Sequence, residues 1–239
     1  MNFIGLDISK VSTAMAIETS GKEYLFSYNN QKESNKWCKS LSEAGVNIKF
    51  YEYDNDIDEY SLSEINKLQT FIKISNDIIK DILAIINKDE ETIIFNEGYS
   101  YGQNVGPLID LVGIGALVRA KVYENIPNIK EMRIISPKSL KTITAEMVYG
   151  SDMVTSGVRV IKTEKVIRTN KEGIKGGDFD KIHMFQAIVD LNKEFKLSNY
   201  IKEYYDEIKA LKSFPKPLED INDAWLLKEI IKFQINPKY

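Results

Sequence analysis

Residues 3–7, Phe3-Ile4-Gly5-Leu6-Asp7, read as a short strand that buries Phe3 and Ile4 and ends on a carboxylate. Two more strand patterns follow at once, over residues 11–18 and 23–28. Only residues 8–10, with Ser9-Lys10, and 19–22, with Ser20-Gly21-Lys22, separate the three, too little chain for anything but hairpin turns. The chain therefore opens as an antiparallel meander whose first strand carries an acid at its end.

Working outward, residues 29–62 are polar and acidic, with Tyr51, Tyr53 and a run from Asp54 to Glu59. They read as an irregular excursion or small insertion. Ile65, Leu68, Ile72, Ile79, Ile82 and Ile86 predict a long helix over 63–87 with these residues along one side. Thr92-Ile93-Ile94-Phe95 has the continuous apolar character of a buried parallel strand and runs into Asn96-Glu97-Gly98. Gly106-Pro107 opens a helix to about residue 123, Pro sitting in its first turn and Gly113 and Gly115 allowing close packing. Met132-Arg133-Ile134-Ile135 predicts a fifth strand, and Ser136-Pro137 caps another helix. Residues 147–177 break the pattern. There 158–161 and 166–168 flank Lys162 to Lys165 like a basic ribbon, ahead of the glycine-rich 173–177. Three helices are expected beyond, near 178–196, 198–211 and 218–233, with Pro215 and Pro217 before the last.

The order β-β-β-α-β-α-β-α predicts an α/β protein of the ribonuclease H-like fold. Its mixed five-stranded sheet would have three antiparallel then two parallel strands, the first strand near the centre and helices on both faces. One domain over residues 1–239 is expected, with insertions near 29–62 and 147–177. Actin-like kinases share this fold, so function has to come from particular residues.

Composition narrows the chemistry. Of the 239 residues 43% are hydrophobic and 28% charged, enough to build a core, and no apolar run approaches the ~20 residues that span a bilayer. The opening MNFIGLDISK does not read as a secretory leader, so a reducing cytoplasm is expected and no membrane association. One cysteine, Cys38, excludes an internal disulfide and a Cys-rich zinc site. One histidine, His183, set among Ile182, Met184 and Phe185, argues against His-rich metal sites and a Ser-His-Asp triad. Hydrolysis would then fall to carboxylates. Net charge is −3, but residues 1–100 carry 10 Lys, no Arg and 17 acids, whereas 101–239 carry 22 basic residues and 18 acids. That asymmetry suggests a basic face in the second part, with a solvated surface as the bland alternative.

Four acids stand out by position. Asp7 closes the first strand and Glu97 the fourth, strands that are neighbours in the expected fold. Asp220 and Asp223 lie three apart at the start of the last helix and so share a face. Singly, each has a structural reading: Asp7 as a strand-end cap, Asp220 as an N-cap with Asp223 favourable in the first turn. Jointly, they form a repulsive cluster that hard divalent cations would neutralise. Two Mg²⁺ ions ~4 Å apart can activate a water and stabilise the leaving oxygen of a phosphodiester.

Phe3-Ile4-Gly5-Leu6-Asp7-Ile8-Ser9, with Ser12-Thr13-Ala14, resembles the first motif of RuvC-like Holliday junction resolvases. Ile93-Ile94-Phe95-Asn96-Glu97 resembles their second, and Leu108, Leu111, Gly113, Gly115 and Val118 fall in a helix like the one that follows it. Asp220-Ile221-Asn222-Asp223-Ala224 is similar to their closing Asp-x-x-Asp-Ala, and Gly177-Asp178-Phe179-Asp180-Lys181 to the helix start before it. The resemblance implies a metal-dependent, structure-selective endonuclease, a homodimer cutting opposed strands of four-way junctions to leave 5′-phosphate and 3′-hydroxyl. It implies that Asp7, Glu97, Asp220 and Asp223 hold two Mg²⁺ ions, with Mn²⁺ able to substitute, and that Lys181 stabilises charge on the scissile phosphate. The acidic composition and added segments look more like a phage-type relative than the compact bacterial enzyme.

Lys138, Lys141, Arg159, Lys162, Lys165 and Arg168 are candidate contacts to the DNA backbone, which position rather than specify. Tyr99 and Tyr101 are candidates for stacking on an unpaired base. Two other classes stay open: an actin-like, ATP-dependent phosphotransferase with Asp7 and Ser9 at a phosphate loop, and a non-catalytic nucleic-acid-binding protein on a nuclease scaffold.

Overall fold

Strand β1 (Asn2–Asp7) pairs antiparallel with β2 (Ser12–Thr19) on one side and parallel with β5 (Thr92–Glu97) on the other. β3 (Lys22–Asn29) extends the meander beyond β2, and β6 (Ile129–Ile135) adds parallel to β5. This computed structural model describes residues 1–30, 35–52, 59–99, 105–149, 154–155, 158–159, 179–191, 195–211 and 213–236.

The main sheet has six strands, in the order β4-β3-β2-β1-β5-β6, not the five expected. The additional one, β4 (Asn47–Phe50), comes from the stretch that reads as irregular, as does helix α1 (Lys36–Glu43). Asn35 caps α1 by accepting from the backbone N–H groups of Trp37 and Cys38, and the helix buries Trp37, Cys38 and Leu41. β4 is four residues long, none of them fully buried, and it forms by pairing parallel to the open edge of β3. Such a strand has too little alternation to be seen locally.

Side chains alternate across the sheet, and this decides what each face carries. From β1, Ile4 and Leu6 join Met15, Ile17 and Ile94 in a core under α2 (Tyr60–Ile85) and α3 (Val105–Asn125). On the opposite face, Ala14, Ala16, Ile93 and Phe95 pack with α7 (Lys216–Ile235), α4 (Pro137–Tyr149), α5 (Lys181–Asp190) and α6 (Lys196–Ala210). Gly5 also faces α7. A Cβ built there would stand 2.0 Å from the Ala224 carbonyl oxygen and 2.7 Å from the Lys228 nitrogen, both main-chain atoms of the helix. Gly5, Ala14 and Ala16 thus let α7 lie almost on the sheet. Further along α7, fully buried Lys228 binds Glu23 at 2.6 Å, Glu229 at 2.8 Å and Glu18 at 3.3 Å, tying the helix to the β2–β3 hairpin.

One expectation needs correction. On α2 the buried stripe is Phe71, Ile74, Ile78 and Ile82, while Ile65, Leu68 and Ile72 are exposed. Two apolar stripes compete on this helix, and the one carrying the aromatic ring faces the sheet. Of the expected ribbon, residues 158 and 159 form β8 (Val158–Arg159), paired antiparallel with β7 (Val154–Thr155), and the rest lies among residues 160–178, outside the described ones.

Candidate active site

The parallel register of β1 and β5 sets Leu6 beside Asn96, so the next pair outward, Asp7 and Glu97, leaves the sheet at the same edge. α7 crosses this edge with Asp220 and Asp223. One carboxylate oxygen from each of Asp7, Glu97 and Asp223 can be chosen so that all three lie within 4.8 Å of one another. Asp7 is close enough to Glu97 and to Asp220 to share a proton with either, so the fourth acid belongs to the same cluster. Asp220 is 2% exposed, and its Oδ2 is buried without a hydrogen-bond partner. It is not an N-cap, since Pro215 holds that position.

This arrangement is electrostatically costly. Burial pushes Asp7 above the usual carboxylate range, although the Glu97 hydrogen bond and Lys216 pull it back. Glu97 lies well above that range, through burial and then the charge of Asp7. Asp220 does too, for the same two reasons. Asp223 is pushed up to about 7 by burial and Asp7, against an opposing hydrogen bond from the Asn222 amide, which lies 3.2 Å from Oδ1. Burial lowers Lys181, and the neighbouring Lys216 lowers it further.

The four acids line a cleft of about 500 Å³ together with Lys10, Lys141, Lys181 and Lys216. Ile8, Val11, Pro107, Leu108 and Leu111 supply an apolar side. All donors in the cluster are carboxylate oxygens, and Asp220 adds a buried oxygen with no partner. That set fits a hard divalent cation such as Mg²⁺ or Mn²⁺.

Other sequence candidates fall in varied places. Lys181 lines the cleft as the first residue of α5, ion-paired with Glu219. Lys141 lines it too, whereas Lys138 is exposed on the first turn of α4. Tyr99 turns toward α3: Arg119 Nη1 donates to its hydroxyl at 2.6 Å, the guanidinium lies 4.6 Å from its ring centroid, and Gly115 leaves it space. Arg119 also donates to the Glu97 carbonyl at 3.0 Å, steadying the strand end that carries the acid. Arg159 is described only as a residue of β8, and Tyr101, Lys162, Lys165 and Arg168 lie outside the described residues. His183 completes a capping box with Asp180 and stacks on Phe179, a structural role. Cys38 is buried, which pushes its thiol up and leaves it a poor nucleophile.

Sequence reasoning missed Lys216 and Glu219. Glu219 is 7% exposed and pairs with both Lys181 and Lys216. The available signal was a lysine between two prolines, four residues before Asp220.

No protein-family model matches this sequence, and neither does any curated protein. Among solved structures, Thermus thermophilus RuvC matches at 9% identity and TM-score 0.47, over 98% of this chain and 96% of that one. T. thermophilus RuvC in complex with Holliday junction substrate matches at 6% and 0.45, over 98% and 96%. The yeast mitochondrial Holliday junction resolvase matches at 10% and 0.46, over 98% and 81%. β2 and β3 run antiparallel beside a central β1, β5 and β6 run parallel on its other side, and helices cover both faces. That architecture is the mixed sheet with helices on both faces that the order of strands and helices in the sequence predicts, with β4 as a sixth strand.

Proposed function

We propose that this chain is a metal-dependent endonuclease that hydrolyses phosphodiester bonds in branched DNA, four-way junctions above all, leaving 5′-phosphate and 3′-hydroxyl ends. The observation that carries the reading is the convergence of Asp7, Glu97, Asp220 and Asp223, from three separate elements, on one lysine-lined cleft. Bound divalent ions would supply a water that ionises near neutral pH and would neutralise charge on the leaving oxygen. Asp7, Glu97, Asp220 and Asp223 would hold them, as two Mg²⁺ or Mn²⁺ ions. Lys181 and Lys141 would meet phosphate oxygens, with Lys138 and the Arg159, Lys162, Lys165 and Arg168 segment engaging the DNA arms. The choice of a branched substrate rests on the motif resemblance.

The acidic cluster of one chain would cut one strand at a time, so paired cuts call for a homodimer. Helices α2 and α3 offer a face for a second copy, with Leu68 and Ile72 exposed on one and Ile109 and Val112 on the other. No helix among the described residues is long and apolar enough to cross a membrane.

The test is incubation with four-way, three-way and linear duplex DNA, with Mg²⁺ and with chelator. Metal-dependent cutting of branched DNA, lost in Asp7→Asn, is expected. Absence of any cutting by the unaltered chain, or cutting that persists in Asp7→Asn, overturns the proposal.

A further inference from the structure

Helices α5 and α7 both begin on lysine, Lys181 and Lys216. The positive end of a helix repels that charge, so each breaks a local preference. Such breaks concentrate where function requires them. Both lysines converge on Glu219, which is nearly buried. Lys216 goes further: its Nζ is 3.5 Å from Glu219 Oε1 and 3.7 Å from Asp220 Oδ1. Pro215 and Pro217 bracket it, restricting the backbone from which the side chain reaches.

The geometry points to Lys216 as a resident counter-cation of the acidic cluster, standing beside Asp220 in competition with a divalent ion, with Glu219 as the tether that positions it. This rests on the cluster being a metal centre. Before metal arrives, the ammonium offsets part of the charge that Asp7, Asp220 and Asp223 place together. A divalent ion held by Asp220 would take the place that the Lys216 ammonium has beside Oδ1. Glu219 would then keep the freed ammonium in the cleft, where a phosphate oxygen would replace the Asp220 carboxylate as its partner. Lys216 therefore lowers affinity for metal alone and is a positioning residue for DNA. Lys10 is the natural comparison, because it lines the same cleft but is ion-paired with Asp110.

Calorimetric titration with Mn²⁺, without DNA, separates the possibilities. Lys216→Met should bind Mn²⁺ ~5–20-fold more tightly than the unaltered chain, the effect of deleting one nearby partly screened charge. Lys10→Met should shift affinity less than ~2-fold, because Lys216 is among the main charges acting on Asp7, Asp220 and Asp223 and Lys10 is not. Glu219→Gln, which unties Lys216 toward Asp220, should weaken binding. Lys216→Gln should repeat the Lys216→Met result. Unchanged or weaker Mn²⁺ binding in both Lys216 variants, or equal tightening in Lys10→Met, overturns this inference while leaving the metal centre standing. Absence of Mn²⁺ binding by the unaltered chain, or binding that Asp7→Asn leaves untouched, overturns the metal centre itself.

Discussion

Gly5→Ala adds a single methyl group at the closest approach of α7 to the sheet. The new carbon would lie 2.0 Å from the Ala224 carbonyl oxygen, and ordinary contact begins at 3.4 Å. The obstacle is main chain on both sides, so no side-chain rotation relieves it. The helix has to retreat by roughly 1 Å or more, loosening its packing over Ala14, Ala16 and Phe95. Overpacking of this kind costs ~1–3 kcal/mol, and weaker packing along a helix with so long a buried stretch carries the expected destabilisation to about 2–4 kcal/mol. Asp220 and Asp223 ride on the same helix within two turns of Ala224. A displacement of ~1 Å at a catalytic group costs about 100-fold in rate. Urea unfolding of the metal-free chain should show the stability loss, and single-turnover cleavage at saturating Mg²⁺ the rate loss in protein that is still folded. Gly113→Ala is the matched control, since nothing lies nearer to its added methyl than a Phe71 ring carbon at 3.8 Å. It should be neutral, or stabilising by up to ~1 kcal/mol through helix propensity. Full stability and full activity in Gly5→Ala would refute the view that this contact sets the distance between helix and sheet.

Asp7→Asn should abolish cleavage and raise the melting temperature of the metal-free chain, because it removes a charge from a mutually repelling group; a lower melting temperature would count against that repulsion. All four acids are raised above their unfolded values, so between those values and the folded ones the native chain holds more protons than the unfolded chain. Metal-free stability should therefore fall as pH rises from the ordinary carboxylate values of 3.8 to 4.5 through about 7, the value to which Asp223 is pushed, and saturating Mg²⁺ should flatten the trend; thermal melts across that range check the sign. Lys228→Met should cost ~3–5 kcal/mol in urea unfolding, since Glu18, Glu23 and Glu229 lose their shared buried cation; a change under ~1 kcal/mol would refute that role.

The parts of this molecule legible in the sequence are those whose signals are local. Asp7 and Glu97 each follow an apolar run, and Asp220 and Asp223 have helical spacing, so strand neighbourhood was enough to bring them together. β4 was not legible, because four half-exposed residues become a strand only when β3 offers an edge. The orientation of α2 depended on choosing between two apolar stripes, a choice made by the sheet and by α3 rather than by the helix itself. Glu219 reads as one more acid in a first turn. Its meaning lies in Lys181, contributed by a different helix. Tyr99 followed the same rule: its position next to Glu97 was evident, but its partner Arg119 sits a full helix away.

The alternation along β1 also limits how this chain can change in length. Deleting one residue within the strand would turn the carboxylate toward α2 and α3 and bring Ile4 or Leu6 beneath α7, where even one methyl group does not fit. Deleting two would restore the face but slide the acid by ~6.6–6.8 Å, farther than the 4.8 Å that spans the cluster. Substitutions within β1 can therefore accumulate while its residue count stays constant. β4 lies at the opposite edge of the sheet, four strands from Glu97, and can lengthen or shorten without moving a carboxylate. Among diverged versions of this chain, length variation should gather at that edge and be absent between Phe3 and Asp7.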